Sequence, residues 1–383
     1  RKRNMRSLGI YIHIPYCAKK CAYCDFYSVP SCETSKAYCN ALIKQIESYK
    51  KKSNDYVVDT IYIGGGTPSQ INPEYIYNIL GAVKETFNVS HDAEISMEAN
   101  PGTLDGYKLS LYRSAGINRL SLGLQSAHDD ELKRLSRIHT MKDFENSFLL
   151  ARLEGFDNIN VDIMYALPCQ TREKLAETIN TVISLSPEHI SFYGLKIEEN
   201  TPFAYNRSIA ESIPSDEIQY KMYMDSAKTL EEHGYRQYEI SNFAKDGYAC
   251  RHNMKYWKCN DYLGFGVAAA SFFENNLFSY VKNIDYFIED PLSVFITEST
   301  EEISPQKFET QFVMLGFRLA EGISVDEYKL RCGGDFIKKY GERLKPFLEK
   351  KLVVKTTNGF KLSRRGMLVS NYILSEILDF DED

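Results

Sequence analysis

Three cysteines lie within eight residues near the start of the chain. Cys17, Cys21 and Cys24 are separated by three and then two residues, and Phe26 follows two positions later. Closed structural zinc sites need four ligands, usually as two pairs from separate loops, and the sequence offers no second pair. Three thiolates on a four-iron cluster instead leave one iron open to a further ligand. The spacing therefore favours a [4Fe–4S] cluster over zinc.

The other cysteines do not form a pattern. The chain has nine cysteines in 383 residues, and an odd number argues against a disulfide framework. Lys19 and Lys20 lie between the clustered cysteines and predict that this loop is exposed. The remaining six are scattered singly, as is typical of small buried apolar residues: Cys32, Cys39, Cys169, Cys250, Cys259 and Cys332.

Composition and charge exclude several classes of protein. A net charge of -6 argues against a general nucleic-acid binder, whose surface would be basic. No apolar run approaches the ~20 residues that span a bilayer. The basic residues at the N-terminus are not followed by the apolar region of a secretory signal. We therefore expect a cytoplasmic protein, with Met5 as its native start and residues 1–4 foreign to it.

The elements that must position the cysteine loop alternate in type. Apolar, β-branched runs and helical patterns follow one another through the first two hundred residues, which predicts a parallel sheet with helical crossovers. Six such units predict a partial (β/α)6 barrel of the α/β class. The predicted strands are residues 9–14, 57–63, 93–98, 118–124, 159–165 and 189–195, and the predicted helices are 35–50, 73–87, 104–114, 141–154 and 171–185.

Polar or glycine residues stand at the carboxyl ends of all six predicted strands. Because these ends meet at one edge of a parallel barrel, we expect a single site there. The cysteine loop follows the first strand. Gly64-Gly65-Gly66-Thr67-Pro68 follows the second strand, Glu98 ends the third and Gln125 ends the fourth. Asp162 lies in the fifth strand, and Tyr193 and Lys196 close the sixth.

The pattern changes after about residue 235, which predicts three regions. We expect the barrel over residues 1–235, an irregular connecting segment over 236–300 and a smaller α+β domain over 301–383. In the last region, predicted helices and a hairpin at 352–362 resemble a winged helix. It lacks a basic face, so a docking role is favoured over DNA binding. The predicted helices lie near 305–319, 324–331, 335–349 and 364–378.

The cysteine loop on a first strand, with Gly-Gly-Gly-Thr-Pro on the second, resembles the radical S-adenosylmethionine (SAM) superfamily. In that family the amino and carboxylate groups of SAM chelate the open iron, and reduction cleaves SAM to a 5′-deoxyadenosyl radical. The similarity is to the branch containing anaerobic coproporphyrinogen III oxidase (HemN) and the HemW haem chaperones. It lies in residues 11–27, 64–68, 98–102, 119–126, 162–168 and 252–266.

This resemblance implies a SAM site at the strand ends. Glu98 matches the SAM-binding acid of the family, and Gln125, Arg137 and Asp162 match a polar set that binds a second SAM in the oxidase branch. Taken alone, Arg137 would be interpreted as a solvated helix residue. Two tyrosines that flank the cluster either pack on the cofactor or are core aromatics. The full expected set is Tyr11, Tyr23, Gly65, Gly66, Thr67, Glu98, Gln125, Arg137, Asp162 and Lys196.

Two further stretches resemble the HemW family. The oxidase branch has a fourth cysteine where this chain has Phe26, whereas the Cys-Asp-Phe ending is similar to HemW. Residues 252–257 match the His-Asn-x-x-Tyr-Trp motif of that family, which is tied to haem binding. Imidazole is a common axial ligand of haem, and Tyr and Trp rings give flat surfaces for a porphyrin. The expected haem-binding residues are His252, Asn253, Tyr256 and Trp257.

One residue departs from the HemW pattern, and the motif also has a purely structural interpretation. Ala270 stands where a histidine is usual, which makes His252 the principal candidate ligand. The alternative is structural, with His252 capping an irregular loop and Trp257 anchoring the core.

The resemblance implies a haem chaperone with a [4Fe–4S] cluster and SAM. Its partners would be haem and haem-accepting proteins, such as respiratory enzymes at the membrane, which the protein would reach peripherally from the cytoplasm. The alternatives are a coproporphyrinogen III oxidase, disfavoured by Phe26 and by the short stretch before Tyr11, and a methyltransferase that opens haem. No nucleic-acid partner is expected, and the oligomeric state stays open, a homodimer included.

Overall fold

Strands and helices alternate through the first half of the chain, as predicted. The computed structural model describes residues 5–51 and 55–379, so the expectation for residues 1–4 lies outside the described residues. The elements are β1 (Arg6–Ile14), α1 (Ser35–Glu47), β2 (Tyr56–Gly65), α2 (Pro73–Thr86), β3 (Val89–Ala99), α3 (Gly106–Ala115), β4 (Arg119–Gln125), α4 (Asp129–Arg134), α5 (Met141–Leu153), β5 (Ile159–Tyr165), α6 (Arg172–Leu185) and β6 (His189–Gly194).

Local sequence signals explain where the crossover helices begin. The Asn72 side chain accepts a hydrogen bond from the Glu74 amide at the start of α2, and proline occupies the first helical position. Thr140 and Asp143 form a reciprocal capping box at the start of α5. These caps satisfy amides that have no partner within the helix.

Six strands form the parallel core in chain order, β1 to β6. Helices cover the outer face of such a sheet, so its strands can be apolar on both sides. β4 is buried at every position. The register aligns the carboxyl ends of neighbouring strands, because His13 and Ile14 pair with Gly64 and Gly65.

The structure corrects the expectation of an irregular segment over residues 236–300. Short strands in this region extend the sheet at both ends, to twelve strands in the order β12-β11-β10-β9-β1-β2-β3-β4-β5-β6-β8-β7. The elements after β6 are α7 (Arg207–Glu211), α8 (Asp216–Glu232), β7 (Arg236–Gln237), β8 (Asn242–Ala244), α9 (Arg251–Trp257), β9 (Tyr262–Phe265), β10 (Ala270–Phe273), β11 (Asn276–Tyr280), α10 (Ile284–Glu289) and β12 (Thr297–Glu302).

A seventh parallel strand follows from this correction. β9 pairs in parallel with β1, so the parallel part of the sheet contains β9 as well as the six predicted strands. The strands outside it pair antiparallel.

The C-terminal region has its own small sheet and its own apolar core, which includes Phe312, Phe336 and Leu344. The strands are antiparallel in the order β13-β15-β14, and the winged-helix-like prediction is confirmed. No helix in the described ranges is long and apolar enough to cross a membrane. The elements are α11 (Pro305–Gly316), β13 (Ile323–Ser324), α12 (Val325–Cys332), α13 (Phe336–Glu349), β14 (Val353–Thr356), β15 (Gly359–Leu362), α14 (Arg364–Leu368) and α15 (Ser370–Ile377).

One buried hydroxyl ties α1 to both β1 and the loop after β9. The Tyr38 hydroxyl donates a hydrogen bond to the His13 carbonyl (2.8 Å) and accepts one from the Val267 amide (3.2 Å). Gly266 is required beside it, because a Cβ there would lie 2.2 Å from the same hydroxyl.

We expect Tyr38→Phe to lower the free energy of unfolding by about 1–3 kcal/mol, because the buried His13 carbonyl and Val267 amide lose their partner. Urea denaturation followed by circular dichroism measures this. Tyr286→Phe, at an exposed tyrosine, is the matched control. Equal stability of both variants would show that this hydroxyl does not hold the junction.

Candidate functional site

A cavity of about 410 Å³ opens at the carboxyl ends of the parallel strands. The structure therefore places one site where the strand-end pattern predicts it. The cavity is lined by most of the expected residues: Cys17, Cys21, Tyr23, Cys24, Gly65, Gly66, Thr67, Glu98, Gln125, Arg137, Asp162 and Asn253.

The cysteine loop follows β1 and lies at the rim of the cavity. Its three cysteines are half-buried, whereas Lys19 and Lys20 are exposed, as the sequence predicts. Two backbone hydrogen bonds close the base of the loop, from the Cys17 amide to the Val29 carbonyl (3.1 Å) and from the Val29 amide to the Pro15 carbonyl (2.7 Å). The loop thus presents its thiols from a fixed base.

The donor set fits a cluster better than a single ion. Within residues 5–51 and 55–379, no group of three or more His, Cys, Asp or Glu side chains is placed to hold one metal ion. In a [4Fe–4S] cluster each thiolate binds a different iron, so the three sulfurs need not converge on one point. Cys17, Cys21 and Cys24, all at the rim of one cavity, meet that requirement.

The glycine loop after β2 is joined directly to the end of β1. The Gly66 amide donates to the Ile14 carbonyl (2.9 Å), and the Thr67 amide donates to the Tyr16 carbonyl (2.7 Å). Gly65 has φ +109°, and a Cβ there would lie 2.4 Å from the His13 ring. Glycine is therefore required, and the loop is held beside the cysteines.

Glu98 lies at the end of β3 with both carboxylate oxygens engaged. The Tyr62 hydroxyl donates to one oxygen (3.0 Å) and the Gly65 amide to the other (3.1 Å). Burial, with a smaller contribution from the charge of Asp162, raises the pKa of Glu98 to about 7. A carboxyl of this kind favours a ligand that brings positive charge or hydrogen-bond donors.

Arg137 is held over the cavity and is not a solvated helix residue. Its guanidinium donates to the Asn100 side chain (2.9 Å) and to the Gly123 carbonyl (2.8 Å), and it lies 3.6 Å from the Cys21 sulfur. Across the cavity, burial raises the pKa of Asp162, whose carboxylate accepts a hydrogen bond from Asn160 (2.7 Å). The site thus combines fixed positive and negative groups.

Two members of the expected SAM-binding set do not line the cavity. Lys196 is exposed and forms an ion pair with Glu198 (2.8 Å). Tyr11 contacts His13 through its hydroxyl (3.0 Å), and its ring stacks on Tyr62, which does line the cavity. For both residues a direct role in ligand binding stays a prediction.

Several cavity residues were not predicted from the sequence. Successive side chains of a strand alternate between its faces, so the residue two positions before a site residue shares its face. That rule finds Asn160 from Asp162. The polar residues missed include Tyr62, Asn100, Arg119, Ser121, Asn160 and Ser191, whereas Tyr193, expected at a strand end, does line the cavity.

His252 is fully buried in α9, and both of its ring nitrogens are occupied. Nδ1 lies 2.9 Å from the Thr60 hydroxyl and Nε2 lies 2.8 Å from the Tyr256 hydroxyl. Burial, together with the charges of Lys255 and Arg119, lowers the pKa of His252 to about 3, so the ring is neutral. An iron ligand needs a free ring nitrogen, so one of these hydrogen bonds would have to break.

The four expected haem-binding residues therefore have different surroundings. Asn253 lines the cavity, whereas Tyr256 and Trp257 do not. The alternative in which His252 caps an irregular loop does not hold, because His252 lies within the helix. Ala270 is exposed at the start of β10.

Comparison with known proteins gives concordant results. The profile of the radical SAM superfamily matches residues 11–182, and that of the HemN C-terminal domain matches residues 303–369. The heme chaperone HemW of Bacillus subtilis is 34% identical over 374 residues, covering 96% of this chain and 98% of the relative. The heme chaperone HemW of Haemophilus influenzae is 33% identical, covering 97% and 98%.

A solved structure shares the fold across nearly the whole chain. Coproporphyrinogen III oxidase (HemN) from Escherichia coli superposes with a TM-score of 0.84, covering 98% of this chain and 91% of that one. The two sequences are 23% identical, so this likeness concerns the fold alone.

We expect alanine at Cys17, Cys21 or Cys24 to abolish loading of a four-iron cluster during anaerobic reconstitution, because two thiolates do not hold it stably. Iron and sulfide analysis and absorbance in the ~400 nm region measure loading. Cys32→Ala is the matched control, since this half-buried cysteine lies near Cys17. An equal loss of iron in the control would contradict the three-ligand site.

We expect Glu98→Gln to stabilise the ligand-free protein at alkaline pH. The folded protein keeps the Glu98 proton up to about pH 7, whereas an unfolded glutamate loses it near pH 4.5, so stability falls between these values as the pH rises. Above pH 7 the variant should be more stable by on the order of 2 kcal/mol, and near pH 4 the two proteins should be equal.

Urea denaturation at a series of pH values measures this difference. Glu349→Gln, at an exposed position, controls for the loss of one negative charge. A difference between wild type and Glu98→Gln that does not change with pH would refute the assignment.

Proposed function

Because the chain belongs to the radical SAM superfamily and, within it, to the HemW family, we propose that it is a haem chaperone, which binds haem and transfers it to haem-accepting proteins. The single observation that carries this proposal is its identity of 33–34% with named heme chaperones along almost the entire chain.

Family membership implies a [4Fe–4S] cluster and SAM, and the cavity residues fit both. Cys17, Cys21 and Cys24 would hold the cluster at the rim. When bound, the cluster supplies an electron to SAM. Glu98, fixed by Tyr62 and the Gly65 amide, would hold the amino group of SAM.

Phe26 supports a chaperone over an oxidase. Its side chain is 69% exposed and lines the rim of the cavity beside the cysteine loop. An apolar ring in this place offers neither a fourth thiolate nor a group that transfers protons. It does offer a flat apolar surface, which is suited to a porphyrin face.

The haem-binding residues stay a proposal, and their surroundings define what haem binding requires. For His252 to bind iron, the ring must give up its contact with Thr60 or with Tyr256. Haem binding through His252 therefore requires this buried ring to become accessible, either within α9 by release of the Tyr256 hydroxyl or at β2 by release of Thr60. Burial of the porphyrin against Tyr256 and Trp257 would contribute apolar area towards that change.

We further propose that the acceptors are respiratory haem proteins at the membrane, approached from the cytoplasm. The small C-terminal domain, with its separate core, is the proposed docking region. A homodimer is compatible with this arrangement.

A porphyrin-modifying enzyme is the second candidate, either a coproporphyrinogen III oxidase or a haem-opening methyltransferase. The observation that favours it is the cavity itself, which brings the cysteine loop, Glu98 and Asp162 together in one site.

We expect the reconstituted protein to bind haem, with a Soret band in the visible spectrum, and to leave coproporphyrinogen III unchanged in the presence of SAM and reductant. His252→Ala should shift the Soret band and weaken haem binding by about tenfold while the iron content of the cluster stays the same. Spectral titration and mass spectrometry of the products measure these outcomes.

His233→Ala, at an exposed histidine, is the matched control. A protein that gives no haem spectrum but decarboxylates coproporphyrinogen III would be an oxidase. Methylated, ring-opened haem among the products would instead identify the methyltransferase.

A further inference from the structure

Helix α9 is anchored to the three strands that begin the barrel. The Glu94 carboxylate in β3 accepts hydrogen bonds from the Arg251 amide (3.0 Å) and the His252 amide (3.1 Å). His252 contacts Thr60 in β2. These contacts fix the helix before any ligand is present.

Lys255 adds a charged contact to the same anchoring. Its ammonium group, on a side chain only 5% exposed, lies 2.7 Å from Asp59 in β2. Its stem approaches β1 so closely that a Cβ on Gly9 would lie 2.7 Å from Lys255 Cδ. The helix is thus packed against the inward-facing side of β1 and β2.

Asn253 projects from this helix into the strand-end cavity. Asn253 is among the cavity-lining residues, and in the described part of the chain its side-chain amide has no hydrogen-bond partner, whereas its backbone amide bonds to Cys250. A side-chain amide offers two donors and one acceptor oxygen. The amide is therefore free to bond to a polar ligand in the cavity.

A second contact connects α9 to Glu98. The His252 ring stacks on the Tyr62 ring, with a centroid distance of 5.5 Å and an interplanar angle of 29°. The Tyr62 hydroxyl donates to Glu98, which also accepts from the Gly65 amide. His252 therefore restricts the position of Tyr62, and Tyr62 that of Glu98.

We propose that α9 forms the floor of the SAM cavity, in which Asn253 contacts bound SAM directly and His252 is a positioning residue for Tyr62 and Glu98. This role goes beyond haem transfer and uses the helix as it stands, with both His252 nitrogens occupied. The polar groups available to Asn253 are the ribose hydroxyls, the adenine edge and the methionine carboxylate of SAM, each of which pairs with an amide.

The first test is SAM binding by Asn253→Ala in reconstituted protein. Loss of one hydrogen bond in a partly buried cavity should weaken SAM binding by about tenfold, measured by isothermal titration calorimetry. The iron content of the cluster, measured on the same preparation, should not change. Met254→Ala is the matched control. It shortens the next side chain of the same helix, and Met254 does not line the cavity.

The second test is a double-mutant cycle between His252 and Tyr62. Tyr62→Phe removes only the hydroxyl that reaches Glu98. His252→Ala removes the stacked ring together with its contacts to the Thr60 and Tyr256 hydroxyls. If His252 acts through Tyr62, each single variant binds SAM more weakly than wild type does. The double variant then has the same SAM affinity as the more impaired of the two single variants. Fully additive losses would show that His252 has only a general structural role.

The haem and SAM titrations separate the two proposals. Weakened SAM binding in Asn253→Ala, with the iron content of the cluster unchanged, supports the proposed floor, even if the haem chaperone proposal fails in wild type. Unchanged SAM binding in both Asn253→Ala and Tyr62→Phe overturns it. Weakened haem binding with unchanged SAM binding also overturns it, and assigns the motif to haem.

Discussion

The parallel pairing of β9 with β1 is the contact on which the site depends. It aligns Gly9 with Tyr262 and Ile12 with Phe265, and it therefore sets the position of the preceding helix α9 against the barrel. On the other side of β9, the backbone of β10 requires glycine at position 264, since a Cβ there would lie 2.2 Å from the Ala270 carbonyl oxygen. The cysteine loop leaves one end of β1, while α9 packs beside that same strand. One strand thus connects the rim of the cavity with its floor.

Buried charged groups hold α9 in place as the floor of the cavity. Each of them would cost free energy of folding if it had no partner. Lys255 is paired with Asp59, and Glu94 accepts two helix amides. Arg119 is 2% exposed; burial alone would lower its pKa, but the neighbouring Cys250 thiol, Glu94 carboxylate and tyrosine hydroxyls raise it. A buried charge whose partner is removed is strongly destabilising, so these groups specify one arrangement of α9. The same burial keeps His252 neutral.

The parts of the fold that could be predicted are those encoded locally. The six strands and their crossover helices have long, regular patterns of apolar residues. The glycine motif that contains Gly65 and the spacing of the three cysteines are patterns that few other kinds of site share. The strands of residues 236–302 escaped prediction because they are two to six residues long. At that length, periodicity is absent and pairing with distant strands decides the structure.

The residues of the site also divide into those that local sequence reveals and those that distant contacts decide. Glu98 was found because it stands at the end of a predicted strand, and Asp162 because it lies in a predicted strand and matches the polar set of the family. Lys196 has a similar place in sequence, but the chain after β6 directs it to solvent, where it pairs with Glu198. The surroundings of His252 could not be read locally, because its partner Thr60 is 192 residues earlier. A motif can be recognised in sequence without its neighbours being known.

The distance between β1 and β9 in the chain also sets an order of events during synthesis. β1 to β6 can pair with their neighbours as they leave the ribosome, N-terminal part first. One edge of β1 and the polar interior beside it stay open to water until about residue 265 has emerged, because β9 and α9 come so late. A nascent chain can therefore display all three cluster cysteines long before it has a closed cavity behind them. Insertion of iron and sulfide into a finished site belongs after translation, when the last parallel strand has closed onto the first.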